Sequence, residues 1–128
     1  MELYFSWRES AKGFSPSCSS NIVNEDGVSP LSCLLTDDGG QKPLDTVPWV
    51  YEGVSRIISI RLAGSDAADW NRDAWGAELT KEQVKIYSLH DESYFELVKL
   101  DSFEKALLAW LSFVQLEPEI GTSKQVEI

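Results

Sequence analysis

Residues 75–114, WGAELTKEQVKIYSLHDESYFELVKLDSFEKALLAWLSFV, decide the fold, because they join a run of short strands to an amphipathic helix. The polar turns TKEQ and HDES separate three strand-like segments: WGAEL (75–79), VKIYSL (84–89) and YFELVKL (94–100). Alternation is clearest in the second segment, where Val84 and Ile86 face one way and Lys85 and Tyr87 face the other. The pattern predicts a three-stranded antiparallel meander.

The following helix is predicted from a start signal, a periodic apolar face and a stop signal. Asp101 and Glu104 have the D-x-x-E spacing of a capping box, in which each side chain satisfies a free N–H at the start of the helix. Apolar residues then recur at intervals of three and four positions: Phe103, Ala106, Leu107, Trp110, Leu111 and Val114. Pro118 ends the pattern.

Residues 46–63 allow two interpretations. Thr46 is a candidate cap, Pro48 falls in the first turn, and Gly64 stands where many helices end. Against a helix, IISIRL (57–62) is dense in β-branched residues and fits a buried strand. The two end signals favour the helix.

The other segments give simpler expectations. Alternation over Leu3–Arg8 predicts a first strand, and the Ser- and Pro-rich stretch Glu9–Asn21 predicts a loop. A second strand is expected near Leu31–Thr36, and residues 65–74 are expected to form a polar connection. Residues 119–128 are expected to be a frayed tail.

These elements predict the α+β class. Two main helices pack on one face of an antiparallel sheet of about 4–5 strands, which gives a two-layer arrangement. The length fits one domain over residues 1–128.

Composition and charge narrow the possible functions. The chain has 128 residues and a formal net charge of −10. Its 43% hydrophobic and 11% aromatic residues exclude a disordered chain. No apolar run approaches the roughly 18 residues of a membrane span, so no membrane association is expected. The acidic charge repels phosphate backbones, which excludes nucleic acid as a partner, and it attracts a basic partner.

Cysteine usage indicates a reducing compartment. Cys18 and Cys33 form no C-x-x-C pair, and the N-terminus MELYFSWRES lacks the pattern of a signal peptide. Free thiols and a cytoplasmic location are therefore expected.

The sequence offers no recognisable catalytic or metal-binding motif. The single histidine, His90, lies in a predicted turn, and no acidic pair lies in a recognisable catalytic frame. Asp66, Asp69 and Asp73 do not have the spacing of a calcium loop. We therefore expect a protein that is not an enzyme and that has no cofactor or metal.

A tryptophan- and aspartate-rich segment is the candidate partner-binding site, because interface hot spots favour Trp and because carboxylates pair with basic side chains. The predicted site residues are Asp66, Asp69, Trp70, Asp73, Trp75 and Glu78, with Asp37 and Asp38 as a second acidic pair. The alternative is that one tryptophan packs beneath the meander while the aspartates cap turns. In that case Trp75, at the head of a strand, is the better core candidate.

Residues 55–115 carry a family resemblance. The predicted order is a helix, a Trp-containing loop, short strands and a final F-x-x-A-x-x-x-W-x-x-F-V helix. The corresponding segments are, in order, SRIISIRLAG, DW, WGAELTKEQVKIYS and YFELVKLDSFEKALLAWLSFVQ. This succession resembles the C-terminal part of immunity proteins from contact-dependent growth inhibition and related bacterial toxin systems. About half of the chain is covered.

The resemblance implies a protein that binds one cognate toxin domain tightly and blocks its active site or substrate channel. Many such toxins are basic nucleases, for which an acidic inhibitor mimics the nucleic acid. A monomer or weak dimer is expected. The residues alone also fit a small acidic adaptor that binds an unrelated partner.

Overall fold

The computed structural model describes residues 1–11, 13–62 and 65–128. In this part of the chain the strands are β1 (Glu2–Ser10), β2 (Gly13–Ser20), β3 (Ala67–Asn71), β4 (Trp75–Thr80), β5 (Gln83–Ser88), β6 (Asp91–Lys99) and β7 (Ser123–Glu127). The α-helices are α1 (Pro30–Thr36), α2 (Val47–Arg61) and α3 (Leu100–Val114), and a 3₁₀ helix spans Pro43–Thr46. The α+β class is confirmed.

The strands form two antiparallel sheets, where the sequence predicted one. The four-stranded sheet has the order β3-β4-β5-β6 and contains the predicted meander. Its first strand was missed, since residues 65–74 were expected to form a connection. β3 forms there because Trp70 faces the core while Asp69 faces solvent opposite Glu78 on β4.

The three-stranded sheet has the order β2-β1-β7. Two expectations fail here. The predicted loop Glu9–Asn21 contains β2, and the predicted frayed tail ends in β7. Both strands are ordered by pairing with β1, which places Cys18 opposite Phe5 and Val126 opposite Leu3.

α1 corrects the strand expected at Leu31–Thr36. The Ser29 side chain accepts a hydrogen bond of 3.2 Å from Ser32 N, and Pro30 occupies the first helical turn. A side-chain cap followed by proline is a strong helix-start signal, and it overrides the strand-like run that follows.

α2 confirms the helical interpretation of residues 46–63. Pro48 lies in its first turn, as predicted. The Thr46 hydroxyl does not cap the helix but donates to Pro43 O at 2.6 Å. Gly64, the predicted end signal, lies outside the described residues.

α3 has the predicted buried face and lacks the predicted capping box. All six residues predicted to face the core are buried. The helix begins at Leu100, and the carboxylates of Asp101 and Glu104 instead accept hydrogen bonds from Arg61 on α2, at 2.7 and 3.2 Å. Because the helix begins one residue before Asp101, this side chain lies inside the first turn and cannot be the N-cap, and the two carboxylates instead join α3 to α2.

α3 contacts strands of both sheets and so lies at the centre of one core. The Phe5 ring of β1 meets Trp110 edge-on at 5.1 Å, and the Trp7 ring stacks on Phe113 at the same distance. None of the helices in the described part of the chain is long and apolar enough to cross a membrane.

The outer edge of β3 is covered by side chains of α2. Arg56 Nε donates to Asp69 O at 3.2 Å, and Trp49 Nε1 donates to Asn71 O at 3.1 Å. These bonds satisfy carbonyl groups that would otherwise accept a foreign strand.

Candidate functional site

Trp70 was predicted to contact a partner, but it is a core residue with 2% of its surface exposed. Its Nε1 donates to Trp49 O at 3.1 Å, and its ring meets Phe103 edge-on at 6.3 Å. Its indole lies against α2 at Gly53, where a Cβ atom would be 2.9 Å from Trp70 Cε2. The expectation that Trp75 is the better core residue of the two was therefore wrong.

Arg72 is a buried residue that sequence reasoning missed. It is 5% exposed, and its guanidinium lies 4.6 Å from the Trp49 ring and 5.4 Å from the Trp70 ring. Nη1 donates to Leu34 O and Leu35 O at 3.2 and 3.3 Å, at the end of α1. Burial lowers the pKa of Arg72 to about 10, so the group is still charged at neutral pH.

Two of the predicted aspartates, Asp37 and Asp38, fix turns near Arg72, and a third, Asp73, lies in the turn after it. Asp37 Oδ2 accepts hydrogen bonds from Ala74 N at 2.7 Å and from Trp75 N at 3.0 Å. Asp38 Oδ1 accepts from Gly40 N at 2.8 Å, and Asp73 is exposed in the turn between β3 and β4. Asp37 and Asp38 therefore stabilise the turns on either side of Arg72.

The structure brings Asp69 and Glu78 together on the solvent-exposed face of the four-stranded sheet. They are cross-strand partners on β3 and β4. The pKa of Tyr87 on the same face is raised, chiefly by burial and to a smaller extent by the negative charges of Asp69, Glu92 and Glu78. Asp66 is exposed ahead of β3. These acids lie on the opposite face from Trp75, which shares its side of β4 with the buried Ala77 and Leu79.

Trp75 is half-buried and lines an open cleft of about 420 Å³, which we call the acidic aromatic cleft. Its lining residues are Val28, Cys33, Trp75, Ser88, Asp91 and Tyr94. Sheet register explains why three of them meet: Trp75 pairs with Ser88 across β4 and β5, and Ser88 pairs with Asp91 at the start of β6. α1 supplies Cys33 from the other side.

Two aromatic rings form walls of this cleft. The Trp75 and Tyr94 rings have centroids 6.1 Å apart and planes inclined at 61°. The Tyr94 hydroxyl accepts from Asn24 Nδ2 at 2.7 Å and donates to Asp26 Oδ2 at 3.1 Å. The loop before α1 therefore fixes the orientation of the Tyr94 ring.

Asp91 supplies a carboxylate at the cleft. The Ser93 hydroxyl and the Ser93 N–H donate to its Oδ1. These bonds lower the pKa of Asp91, so the group is ionised at neutral pH. None of the ion pairs in the described part of the chain involves Asp91, and no described Lys, Arg or His side chain lines the cleft.

Both cysteine thiols are half-buried and protonated at neutral pH. Burial raises the pKa of Cys18 to about 11, and its Sγ donates to Ser32 Oγ at 3.4 Å. Burial also raises the pKa of Cys33. Within residues 1–11, 13–62 and 65–128, no three His, Cys, Asp or Glu side chains are grouped so that they could hold a metal ion.

Comparison with known proteins gives no relative, since the chain matches no family model, no curated protein and no solved structure.

Proposed function

We propose that this protein is an immunity protein that binds and neutralises a cognate bacterial toxin domain, and that it catalyses no reaction itself. The observation that carries the proposal is the acidic aromatic cleft, in which the ionised Asp91 lies beside the rings of Trp75 and Tyr94. An aromatic recess with an unpaired charge resembles the hot spots through which proteins bind one another.

The net charge of −10 supports a basic partner. A field of this sign attracts a nuclease surface, which is itself built to bind phosphates, and it speeds the encounter of the two proteins. The resemblance of residues 55–115 to immunity proteins supplies the class of partner. In this proposal the acidic protein covers the basic substrate channel of the toxin and excludes nucleic acid from it.

The test uses the toxin domain encoded immediately upstream of this chain's gene. We expect the two purified proteins to form a one-to-one complex in which the toxin is inactive. The association rate should fall as salt rises, because exposed charges are screened. A toxin that keeps full activity in excess of this protein overturns the proposal, and a gene with no toxin frame beside it favours the adaptor instead.

Two variants locate the interface. Asp91→Asn keeps the acceptor for Ser93 and removes the charge, and we expect it to raise the Kd by about tenfold. Asp45→Asn, at an exposed position of the 3₁₀ helix, makes the same chemical change outside the cleft and is the matched control, with a Kd close to that of the unmodified protein. Equal losses in the two variants would show that diffuse charge, and not the cleft, determines affinity.

A further inference from the structure

We propose that the acidic aromatic cleft receives one arginine side chain of the protein partner, with its guanidinium stacked on Trp75 and hydrogen-bonded to the carboxylate of Asp91. The inference rests on the proposed function and deepens it, because it names the group that the cleft recognises.

The aromatic walls favour a cation over an aliphatic side chain. A cation held over the face of a Trp or Tyr ring is attracted by the negative charge of the ring face, and paired rings form cages for such groups. The Trp75 and Tyr94 rings meet edge-on, with centroids 6.1 Å apart and planes inclined at 61°, and both line the cleft. The hydrogen bonds of Tyr94 to Asn24 and Asp26 hold its ring in place before a partner arrives.

The charges of the cleft also favour a cation. Asp91 Oδ1 is occupied by Ser93, but an ionised carboxylate has about four acceptor sites, so several stay open. Asp26 adds a second carboxylate beside Tyr94. A cation from outside would therefore complete this arrangement.

Arginine fits these groups better than lysine does. Its planar guanidinium can stack on a ring while its N–H fork bonds a carboxylate, whereas the lysine ammonium is a compact and strongly hydrated charge. The protein itself shows this chemistry at Arg72, whose guanidinium lies over the rings of Trp49 and Trp70 while Nη1 donates to two carbonyl oxygens.

The experiment titrates the full chain with N-acetyl-argininamide and follows the five tryptophan indole N–H signals by NMR. The Trp75 signal is assigned from its loss in Trp75→Phe. We expect a saturable shift of that signal. Binding of the uncharged citrulline compound should be at least about tenfold weaker, and the lysine compound should also bind more weakly than arginine.

Variants test the two contacts separately. Asp91→Asn should weaken arginine binding by about tenfold, while Asp45→Asn leaves it unchanged. Tyr94→Leu removes one wall and should weaken binding. Tyr94→Phe keeps the ring but loses the bonds to Asn24 and Asp26, so it should weaken binding less than Tyr94→Leu does. Should Tyr94→Leu fail to fold, the comparison of Asp91→Asn with Asp45→Asn still decides.

Four results would overturn the inference: no binding of the arginine compound, equal binding of arginine and citrulline, tighter binding of lysine, or shifts confined to other indoles. If the arginine compound does not bind while the toxin is still neutralised, the arginine contact fails and the proposed function stands. If the compound binds as expected but the toxin is unaffected, the proposed function fails and the cation site stands.

Discussion

Gly53→Ala is a substitution for which helix propensity and packing predict opposite signs. Gly53 lies inside α2, where alanine is favoured over glycine by about 1 kcal/mol. The added Cβ would lie 2.9, 3.0 and 3.1 Å from the Trp70 atoms Cε2, Cδ2 and Cζ2. The indole cannot move away freely, because its Nε1 is bonded to Trp49 O and its ring packs on Phe103.

Overpacking of a core costs about 1–3 kcal/mol. Subtracting the propensity gain leaves an expected loss of about 1 kcal/mol in the free energy of unfolding. For a chain of this size, that loss lowers the Tm by about 4 °C. Urea unfolding should show the same loss as a lower midpoint at unchanged slope.

Two further variants isolate the cause. Ser55→Ala, on the exposed face of the same helix, gains helix propensity without adding a contact to Trp70, so it should be neutral or stabilising. In a Trp70→Phe background the smaller ring relieves the contact, so Gly53→Ala should become less destabilising, which a double-mutant cycle measures. A rise in Tm on Gly53→Ala in the unmodified protein would refute the packing argument.

Two other predictions concern titratable groups. Burial raises the pKa of Glu96, although a hydrogen bond from Leu31 N opposes the shift. The protonated Glu96 therefore contributes stability that is fully present below the ordinary pKa of a glutamate and is lost as pH rises through the raised pKa of the folded state. Glu96→Gln keeps an acceptor and should raise the Tm at pH 7, with a gain that disappears below about pH 4; a gain that grows in acid would contradict the sign. The pKa of Cys18 is raised from 9.0 to about 11, so its thiolate fraction at pH 8 is about a hundredfold lower than that of an unshifted thiol. Iodoacetamide should therefore modify Cys18 far more slowly in the folded protein than in urea, which mass spectrometry can measure. Equal rates would show that the fold does not protect the thiol.

The parts of the fold that the sequence predicted correctly are those determined by local periodicity. The spacing from Phe103 to Val114 identifies the buried face of α3, and alternation around Ile86 identifies the meander. The start of α1 was missed, although Ser29 followed by Pro30 is a helix-start signal. That signal was present in the sequence, and the strand-like run after it was given too much weight.

The missed strands depend on partners distant in the chain. β2 is short of apolar residues, and β7 has a polar sequence, so neither shows clear alternation. Their order comes from pairing with β1. Strand pairs of this kind follow from the assembled sheet and not from local composition.

Only part of the candidate site was predicted, because its residues are brought together by strand pairing between distant segments. Trp75 was identified from its residue type and neighbourhood. Asp91 reaches it only through the register Trp75–Ser88–Asp91, which a one-residue shift would destroy. Trp70 was misassigned because the space for its ring is provided by Gly53, 17 positions earlier in the sequence and on a different element.

The central position of α3 has a consequence for how the molecule melts. Each sheet buries its inner side chains against this helix, with Phe5 on one side and Trp70 on the other both in ring contact with it. Loss of the helix uncovers Phe5 on one sheet and Trp70 on the other at the same time, even though α1 and α2 also pack on the four-stranded sheet. A partly melted form with one intact sheet therefore has little to stabilise it. Calorimetry should therefore record a single heat-absorption peak whose measured enthalpy equals the van't Hoff enthalpy.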